Sequence, residues 1–455
     1  MGKLFGTDGV RGIANHELDS ILAFKIGQAV AFVLSEGKSA RPLVYIGKDT
    51  RISSDMLECA LAAGLCSVGA DVVLLGVIPT PGVAYITNKT GGDAGVVISA
   101  SHNPFEYNGI KIFGSKGYKL DDSMEERVEQ LVEEGGVPLV RDDRLGRVSR
   151  GDELVEDYIR HIISVLDGDL TGLHVLVDCA NGAAARTAQA VFGALGADAD
   201  FISVKPDGIN VNDNCGSTHL ECLAEKVVAG GYDAGVAFDG DADRCLIIDE
   251  KGGLVDGDKI LGACALDMKN RGKLRGNALV GTIMTNLGLH RFAKDNGFEL
   301  VTTGVGDRYV LEEMIKSGYS IGGEQSGHII FLRYATTGDG QVTALKYLYL
   351  MKRMGRSASE VASAVPDYPQ KLINVKVSND FKACLPKIEG VSLEIKTQEE
   401  ILGGEGRIIV RCSGTEPLIR VMVEGRDVEK VVNAAQRIAD AVRLGARDFE
   451  TNNKL

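Results

Sequence analysis

Residues 93–112 read Asp-Ala-Gly-Val-Val-Ile-Ser-Ala-Ser-His-Asn-Pro-Phe-Glu-Tyr-Asn-Gly-Ile-Lys-Ile, an apolar run followed by a polar loop. The run at 96–98 is typical of a strand in the middle of a sheet. Asn103-Pro104 ends it, because proline has no N–H to donate to a neighbouring strand. Ser101 is therefore predicted at a strand end, the edge of an open α/β sheet at which ligands bind.

Ser101 is a candidate nucleophile. His102 beside it is a candidate acid or base, and Lys111 supplies a cation a little further along the chain. The alternative is a structural serine in an Asn-Pro turn, which the same residues would form. Both interpretations fit this stretch alone, so the rest of the chain has to distinguish them.

The composition bounds the class of protein. The 455 residues are too many for a single core and favour three or four domains of about 100 to 150 residues each. A hydrophobic content of 44% with 25% charged residues is typical of a soluble globular protein, and the apolar runs are too short to cross a bilayer. The sequence does not open with an apolar segment of signal-peptide length, so we expect a cytoplasmic protein without a membrane partner.

The charge and the cysteines exclude further classes. A formal charge of -13 disfavours binding to a nucleic-acid backbone, so an anionic ligand would have to be held by local cations, backbone amides or a metal. The nine cysteines are odd in number and contain no Cys-x-x-Cys pair, which disfavours a disulfide framework and a zinc site.

A strand-helix-strand pattern occurs three times, at residues 43–75, 173–201 and 278–301. From about residue 370 the pattern changes to strands and helices in a different order, ending in an amphipathic helix. We therefore predict an α/β protein of three tandem related α/β domains with mixed, largely parallel sheets, plus a C-terminal α+β domain. The predicted domains are residues 1–152, 153–253, 254–368 and 369–455.

Three aspartates alternate in a second loop. Asp239, Asp241 and Asp243 lie between two apolar runs, and carboxylates this close repel one another unless a cation neutralises them. Hard oxygen ligands suit Mg²⁺ or Ca²⁺, so a metal site is preferred over a solvated acidic turn. An EF-hand is excluded because Arg244 stands where that loop requires glycine and because the flanking residues favour strands.

The third loop, Gly-Gly-Glu-Gln-Ser-Gly-His at 322–328, also follows an apolar run. Glu324 offers an acceptor and Ser326 a donor for the hydroxyl or amino groups of a sugar. A purely structural turn would need only the glycines.

The fourth loop, Arg-Cys-Ser-Gly-Thr-Glu-Pro-Leu-Ile-Arg at 411–420, lies in the predicted last domain. Its serine and threonine hydroxyls, backbone amides and two guanidinium groups could form a cradle for a phosphate monoester. Taken alone it could equally be a hairpin turn with two surface arginines, but a metal loop in the same chain favours phosphate binding.

Together these loops resemble those of the α-D-phosphohexomutase superfamily. The motifs follow the family order across the whole chain: Gly6-Thr-Asp-Gly-Val-Arg-Gly12, Ser99-Ala-Ser-His-Asn-Pro104, Asp239-Gly-Asp-Ala-Asp-Arg244, Gly323-Glu-Gln-Ser-Gly-His328 and Arg411-Cys-Ser-Gly-Thr-Glu-Pro417. Gln325 and the opening Lys3-Leu-Phe-Gly-Thr-Asp-Gly resemble the glucosamine branch of that superfamily.

The resemblance implies a role for each loop. Ser101 would be a phosphoserine, and together with Asp239, Asp241 and Asp243 it would bind one Mg²⁺. The other implied catalytic residues are Arg11, His102, Lys111 and Arg244, with Lys111 and His102 both open as the acid or base. The implied substrate-binding residues are Glu324, Ser326, His328, Arg411, Ser413, Gly414, Thr415 and Arg420.

The implied activity interconverts glucosamine 6-phosphate and glucosamine 1-phosphate, with glucosamine 1,6-bisphosphate as intermediate and activator. The partner would be this small sugar phosphate, and the resemblance allows a homodimer. Two alternatives remain at this stage: phosphomannomutase/phosphoglucomutase activity, and a protein that binds sugar phosphates without catalysis.

Overall fold

The computed structural model describes residues 4–6, 8–36, 40–385, 388–413 and 417–452. They form two compact units: the first runs up to Met284 and resumes over Asn296–Ala364, and the second comprises Thr285–Asp295 and the residues from Val365 onward. The first unit contains three mixed α/β sheets, and the second contains one antiparallel sheet. The predicted fold class is confirmed, whereas the four domain boundaries stay a prediction.

The first sheet carries the serine loop. In chain order its region contains β1 (Val10–Ile13), α1 (Ser20–Ser35), β2 (Leu43–Lys48), α2 (Ile52–Ser67), β3 (Asp71–Val77), α3 (Thr80–Thr90), β4 (Ala94–Ile98), β5 (Tyr107–Gly114), α4 (Asp122–Glu134), β6 (Val148–Arg150) and α5 (Asp152–Ile163). The strand order is β1-β5-β4-β2-β3-β6. Since β4 and β5 pair antiparallel, the serine loop connects two neighbouring strands in the interior of the sheet.

The second sheet carries the aspartate loop. Its elements are β7 (His174–Asp178), α6 (Ala184–Ala194), β8 (Asp198–Ile202), α7 (Glu221–Gly230), β9 (Ala234–Phe238), β10 (Cys245–Asp249) and β11 (Leu254–Val255). The strand order is β11-β10-β9-β7-β8, and β9 and β10 pair antiparallel on either side of the loop.

The third sheet carries the 322–328 loop. Its elements are α8 (Gly257–Asn270), β12 (Ala278–Thr282), β13 (Glu299–Thr303), α10 (Asp307–Ser317), β14 (Ile321–Gly323), β15 (Ile329–Phe331), α11 (Gly340–Met354) and α12 (Ala358–Ala362). The strand order is β13-β12-β14-β15, and β14 and β15 form an antiparallel hairpin around the loop. Each of the first three loops therefore connects two antiparallel strands of its sheet.

The second unit contains the last loop. Its elements are α9 (Leu287–Asp295), β16 (Gln370–Lys376), α13 (Asn379–Cys384), α14 (Glu389–Leu402), β17 (Gly406–Cys412), β18 (Leu418–Gly425) and α15 (Val428–Asn452). The sheet order is β16-β18-β17, and one face of α15 supplies Val431, Ala435, Ile438 and Val442 to its core.

The serine strand is apolar throughout because helices cover both of its faces. Val96 and Ile98 belong to the core formed with α1 and α2. Gly95, which points the other way, packs close to Val83 and Thr87 of α3. A strand buried on both sides reads as a continuous apolar run instead of an alternating one, which is what the sequence contains. Among the described residues, no helix combines the length and the apolar character needed to cross a membrane.

The close crossing of α1 and α2 depends on two glycines. A Cβ atom on Gly64 would overlap the carbonyl oxygen of Phe24, and one on Gly27 would overlap that of Leu61. Both obstacles are backbone atoms and cannot rotate away. The two helices therefore approach as closely as they do because neither glycine has a side chain.

We expect Gly64→Ala to destabilise the first unit by about 1–3 kcal/mol, the usual cost of overpacking a core. Gly193→Ala is the matched control, since a Cβ at this position in α6 meets nothing within 4 Å. That control should leave stability unchanged or raise it by about 0.5–1 kcal/mol through helix propensity. Thermal unfolding of both variants checks this, and equal midpoints would show that the crossing tolerates the added methyl group.

Candidate active site

Ser101 lies at the turn between β4 and β5 with its hydroxyl directed at the aspartate loop. Its Oγ donates to Asp239 Oδ2 at 2.6 Å and lies 3.2 Å from His102 Nδ1. The residue has φ +54°, a left-handed conformation that is uncommon for a serine. Ser99 Oγ accepts a bond from the Ser101 amide at 2.9 Å, which helps to hold that conformation.

Two residues that sequence reasoning missed bind the backbone of this turn. Arg51 is fully buried and donates to the carbonyl oxygens of Ser101 at 2.9 Å and Asn103 at 2.8 Å, while its Nε donates to Asp49 Oδ2 at 2.8 Å. Asn212 Nδ2 donates to the same two carbonyls at 2.9 and 3.1 Å. A signal for Arg51 was present, because it follows β2, the parallel neighbour of β4, and therefore emerges at the same sheet edge.

The three predicted aspartates form one buried cluster. Carboxylate oxygens of Asp239, Asp241 and Asp243 all lie within 4.8 Å of one another. Burial, together with repulsion from the other two carboxylates, raises the pKa of Asp239 well above its usual range. Burial opposes ionisation of Asp243 as well, but nearby Lys111 and other cations outweigh it and lower the pKa of Asp243.

Lys111 on β5 connects this cluster to the start of the chain. Its Nζ donates to Asp241 Oδ2 at 2.9 Å and lies 3.4 Å from Asp243 Oδ2 and 3.2 Å from Asp8 Oδ2. Burial lowers the pKa of Lys111, but these carboxylates outweigh burial and raise it well above the usual value. Asp8 was not among the predicted site residues, although it belongs to the first glycine-rich motif.

The two predicted acid/base candidates differ in charge state. Burial, with further repulsion from Arg244 and Arg11, lowers the pKa of His102 to about 4, whereas Lys111 remains cationic. At neutral pH the imidazole is therefore neutral.

The aspartate cluster fits a hard divalent cation. Within the described residues, Asp241 Oδ1 and Asp243 Oδ1 are buried and accept no hydrogen bond. A buried carboxylate oxygen without a partner is costly, and a metal ion would satisfy both. Ser101 Oγ lies 2.6 Å from Asp239 Oδ2 and is therefore next to this cluster.

The 322–328 loop is adjacent to this cluster. His328 Nε2 accepts from the Gly338 amide at 3.0 Å, and its Nδ1 lies 3.6 Å from Asp243 Oδ2. Glu324 accepts from the Gly306 amide at 3.1 Å, and burial raises the pKa of its carboxyl. In the described part of the chain the Ser326 hydroxyl is buried without a hydrogen-bond partner, so it can serve a ligand.

The two predicted arginines of the first unit also lie here. Arg244 donates its amide to Asp239 Oδ1 at 3.2 Å, and Arg11 forms an ion pair with Asp8. The Nε atoms of both side chains are buried and make no hydrogen bond among the described residues, although Arg244 Nε lies 3.9 Å from Asp243 Oδ1. Both guanidinium groups therefore retain a donor for an anion.

The fourth loop belongs to the second unit. Arg411 on β17 lies opposite Arg420 on β18, and burial, with repulsion from Arg420, lowers the pKa of Arg411. Ser413 is buried, and its amide donates to the Leu418 carbonyl at 2.9 Å. Gly414 and Thr415 lie outside the described residues.

Family models cover nearly the whole chain. Those for the phosphoglucomutase/phosphomannomutase alpha/beta/alpha domains I, II and III match residues 2–137, 156–253 and 256–368. The model for the C-terminal domain of the same family matches residues 372–441.

Solved structures share the fold at low sequence identity. A phosphoglucomutase/phosphomannomutase family protein from Burkholderia thailandensis superposes with a TM-score of 0.82 at 24% identity, covering 98% of this chain and 99% of that one. An N-acetylphosphoglucosamine mutase from Aspergillus fumigatus, solved with GlcNAc-6P and magnesium, gives a TM-score of 0.70 at 18% identity, covering 97% of this chain and 96% of that one.

Curated relatives are much more similar in sequence. The phosphoglucosamine mutase of Caldanaerobacter subterraneus subsp. tengcongensis is 53% identical over 443 residues, covering 97% of this chain and 99% of the relative. That of Clostridium novyi is also 53% identical, over 445 residues with the same coverage. The chain therefore belongs to the phosphoglucomutase/phosphomannomutase family and, within it, to the phosphoglucosamine mutases, which are isomerases.

Proposed function

We propose that this protein interconverts glucosamine 6-phosphate and glucosamine 1-phosphate by passing a phosphoryl group to and from Ser101. The observation that carries the proposal is the 2.6 Å contact between Ser101 Oγ and Asp239 within the aspartate cluster. A serine that only formed the turn would not need to contact a cluster of three buried carboxylates.

Ser101, Asp239, Asp241 and Asp243 would hold Mg²⁺, one of the hard cations that their oxygen atoms suit. When bound, this ion supplies positive charge to the oxygens of the phosphoryl group that is transferred. The two unsatisfied carboxylate oxygens of Asp241 and Asp243 support this assignment.

In the first half-reaction the bond between Ser101 Oγ and phosphorus breaks while the 1-hydroxyl of glucosamine 6-phosphate forms a new O–P bond. The proton of that hydroxyl passes to a basic group of the site, and the serine oxygen takes up a proton as it leaves phosphorus. Beside Oγ, neutral His102 can accept the Oγ proton when the serine attacks in the return step, and the imidazolium so formed can give that proton back when Oγ leaves. Charged Lys111, with Arg11 and Arg244, would stabilise the negative charge of the transferred group.

The second half-reaction requires the bisphosphate intermediate to reorient in the site, so that its two phosphates exchange places. Its 6-phosphoryl group then returns to Ser101, leaving glucosamine 1-phosphate. Because the two phosphates exchange places, one distal site must hold each of them in turn. Arg411, Ser413 and Arg420, with Gly414 and Thr415, would form this site, since a phosphate between two facing guanidinium groups removes their repulsion.

Glu324, Ser326 and His328 would contact the sugar. Gln325 between them is already engaged, because its Nε2 donates to Asp256 Oδ2 at 3.0 Å. Its role would therefore be to fix the loop that carries the contacts. Relative kcat/KM on glucosamine, glucose and mannose 6-phosphates tests the substrate preference.

Replacing Ser101 with Ala should abolish mutase turnover and leave the unfolding midpoint unchanged, since only the acceptor oxygen is lost. A coupled assay for glucosamine 1-phosphate and phosphopeptide mapping measure this together. Ser317→Ala, at an exposed serine of α10, is the control and should retain both activity and phosphoserine. An alanine variant with near wild-type turnover would refute the carrier role.

Replacing Asp241 with Asn removes one negative charge from the cluster and should weaken Mg²⁺ binding. We expect kcat to fall by at least tenfold, because a lost charged contact costs roughly 1.5–3 kcal/mol. Titration of activity and of binding heat against Mg²⁺ checks this. Asp55→Asn makes the same charge change on a side chain that is 83% exposed and should behave as wild type. Unchanged Mg²⁺ dependence in Asp241→Asn would assign the cluster to structure alone.

Replacing Arg420 with Ala should lower kcat/KM by about ten- to a hundredfold, the loss expected for one charge-assisted contact of about 1.5–3 kcal/mol. Phosphoserine content and Mg²⁺ binding should not change, and more bisphosphate should escape before its turn is complete. Arg443→Ala in α15, where the arginine pairs with the surface residue Asp440, provides the control. Normal kcat/KM without added bisphosphate release would exclude Arg420 from phosphate binding.

A further inference from the structure

A cavity of about 350 Å³ lies in the first unit, and no residue of the four loops described above lines it. It is formed by the C-terminal parts of α8 and α11, the residues that follow α8, and the turn that follows β15. Its volume falls within the range of about 300–1,000 Å³ that is typical of small-molecule sites.

The cavity is strongly cationic in an acidic protein. Its lining includes six cationic side chains and two carboxylates, although the chain as a whole carries a formal charge of -13. The two carboxylates, Asp167 and Asp267, are engaged by Arg271, Lys273 and Arg353.

The other three cations, Arg275, Arg333 and Lys346, form no ion pair within the described residues. Basic residues are common at helix C-termini, where they interact with the helix dipole, and this accounts for Arg271 and Arg353. It does not account for Arg275 and Arg333, which lie outside the α-helices.

The remaining lining is aromatic and apolar. Tyr319, Phe331, Tyr334 and Tyr349 contribute rings, and Leu and Met side chains complete the wall. Lys346 Nζ lies 4.1 Å from the centroid of the Tyr334 ring and donates to the Val165 carbonyl at 2.5 Å. Rings beside unpaired cations suit a ligand with a flat apolar part and a multiply charged anionic part.

The electrostatics around Lys346 agree with an anionic occupant. Burial, with repulsion from Lys273 and Arg271, lowers the pKa of Lys346 to about 8, against the opposing influence of Cys264 and Asp167. An anion placed beside these cations would stabilise the charged form of Lys346.

We propose that this cavity binds a nucleoside diphosphate, with the base against the tyrosine rings and the phosphates at Arg275, Arg333 and Lys346. A sugar phosphate has no aromatic part to occupy the apolar wall, so the occupant differs in chemistry from the substrate of the mutase reaction. The proposal is independent of the proposed function, because none of its residues belongs to the catalytic loops.

Calorimetric titration of the full chain with ADP, GDP, CDP and UDP tests this. Mg²⁺ is left out, so that it cannot hold the phosphates at the aspartate cluster. We expect saturable binding of at least one nucleotide, and binding at least tenfold weaker for pyrophosphate and for the matching nucleoside. Failure of all four nucleotides, or equal binding of pyrophosphate alone, would overturn the proposal.

Two charge reversals locate the site. Arg275→Glu and Arg333→Glu should each weaken nucleotide binding about ten- to a hundredfold, the scale of a lost charge-assisted bond. Lys316→Glu makes the same change in net charge at an exposed position in α10 that does not line the cavity, and it should leave binding unchanged. Equal affinities for all three variants and wild type, or competition by glucosamine 6-phosphate, would place the nucleotide elsewhere and refute the assignment.

Proton uptake provides an independent check. Because an anion should raise the pKa of Lys346 from about 8, nucleotide binding at pH 8 should take up as much as about half a proton. Titrations in buffers of different ionisation enthalpy measure this uptake. It should disappear in Lys346→Gln, and an unchanged uptake in that variant would show that the phosphates do not lie beside Lys346.

Discussion

The arrangement of the first unit depends on the burial of one ammonium group among carboxylates from different parts of the chain. Lys111 is almost completely buried and is shared by Asp8, Asp241 and Asp243. Taking these charges out of water is costly, and removing the ammonium group would leave the three carboxylates uncompensated. The loops of the first two sheets are therefore held together by the same charges that would act on a phosphoryl group.

Lys119 extends this charge network to the third sheet region. Its Nζ lies 2.6 Å from Asp8 Oδ1 and 2.6 Å from Asp307 Oδ2 at the start of α10. Burial lowers the pKa of Lys119, but these two carboxylates outweigh burial and raise it. Asp307 in turn lies 3.6 Å from His328. Alternating charges thus run from Lys111 through Asp8 and Lys119 to Asp307, which lies beside the 322–328 loop, so a change at one of these groups would leave its neighbours with unbalanced charge.

Sequence patterns predicted the residues that belong to motifs, but not the residues that support them. The apolar run before Ser101 and the alternation of Asp239, Asp241 and Asp243 are local signals, and the three strand-helix-strand units correspond to β2-α2-β3, β7-α6-β8 and β12-α9-β13. The strand before Arg51 indicated at which strand ends this arginine lies, but its burial could not be predicted, because it depends on carbonyl groups far away in the sequence. Periodicity likewise predicted α9 as a helix but did not show that it belongs to the second unit.

In the second unit a buried contact fixes the register of the two strands that carry the fourth loop. Glu424 is fully buried and pairs with Arg407, its partner across β17 and β18, at 2.7 Å. Arg407 also donates to the Thr285 carbonyl at 2.7 Å, and Glu424 accepts from the Leu287 amide at 3.2 Å, which ties α9 to these strands. A slip of one residue between the strands would separate this pair and turn every side chain to the opposite face. The same register sets Arg411 opposite Arg420, a placement of like charges that lowers stability unless an anion lies between them. The buried pair at one end of the hairpin therefore fixes the unfavourable pair at the other.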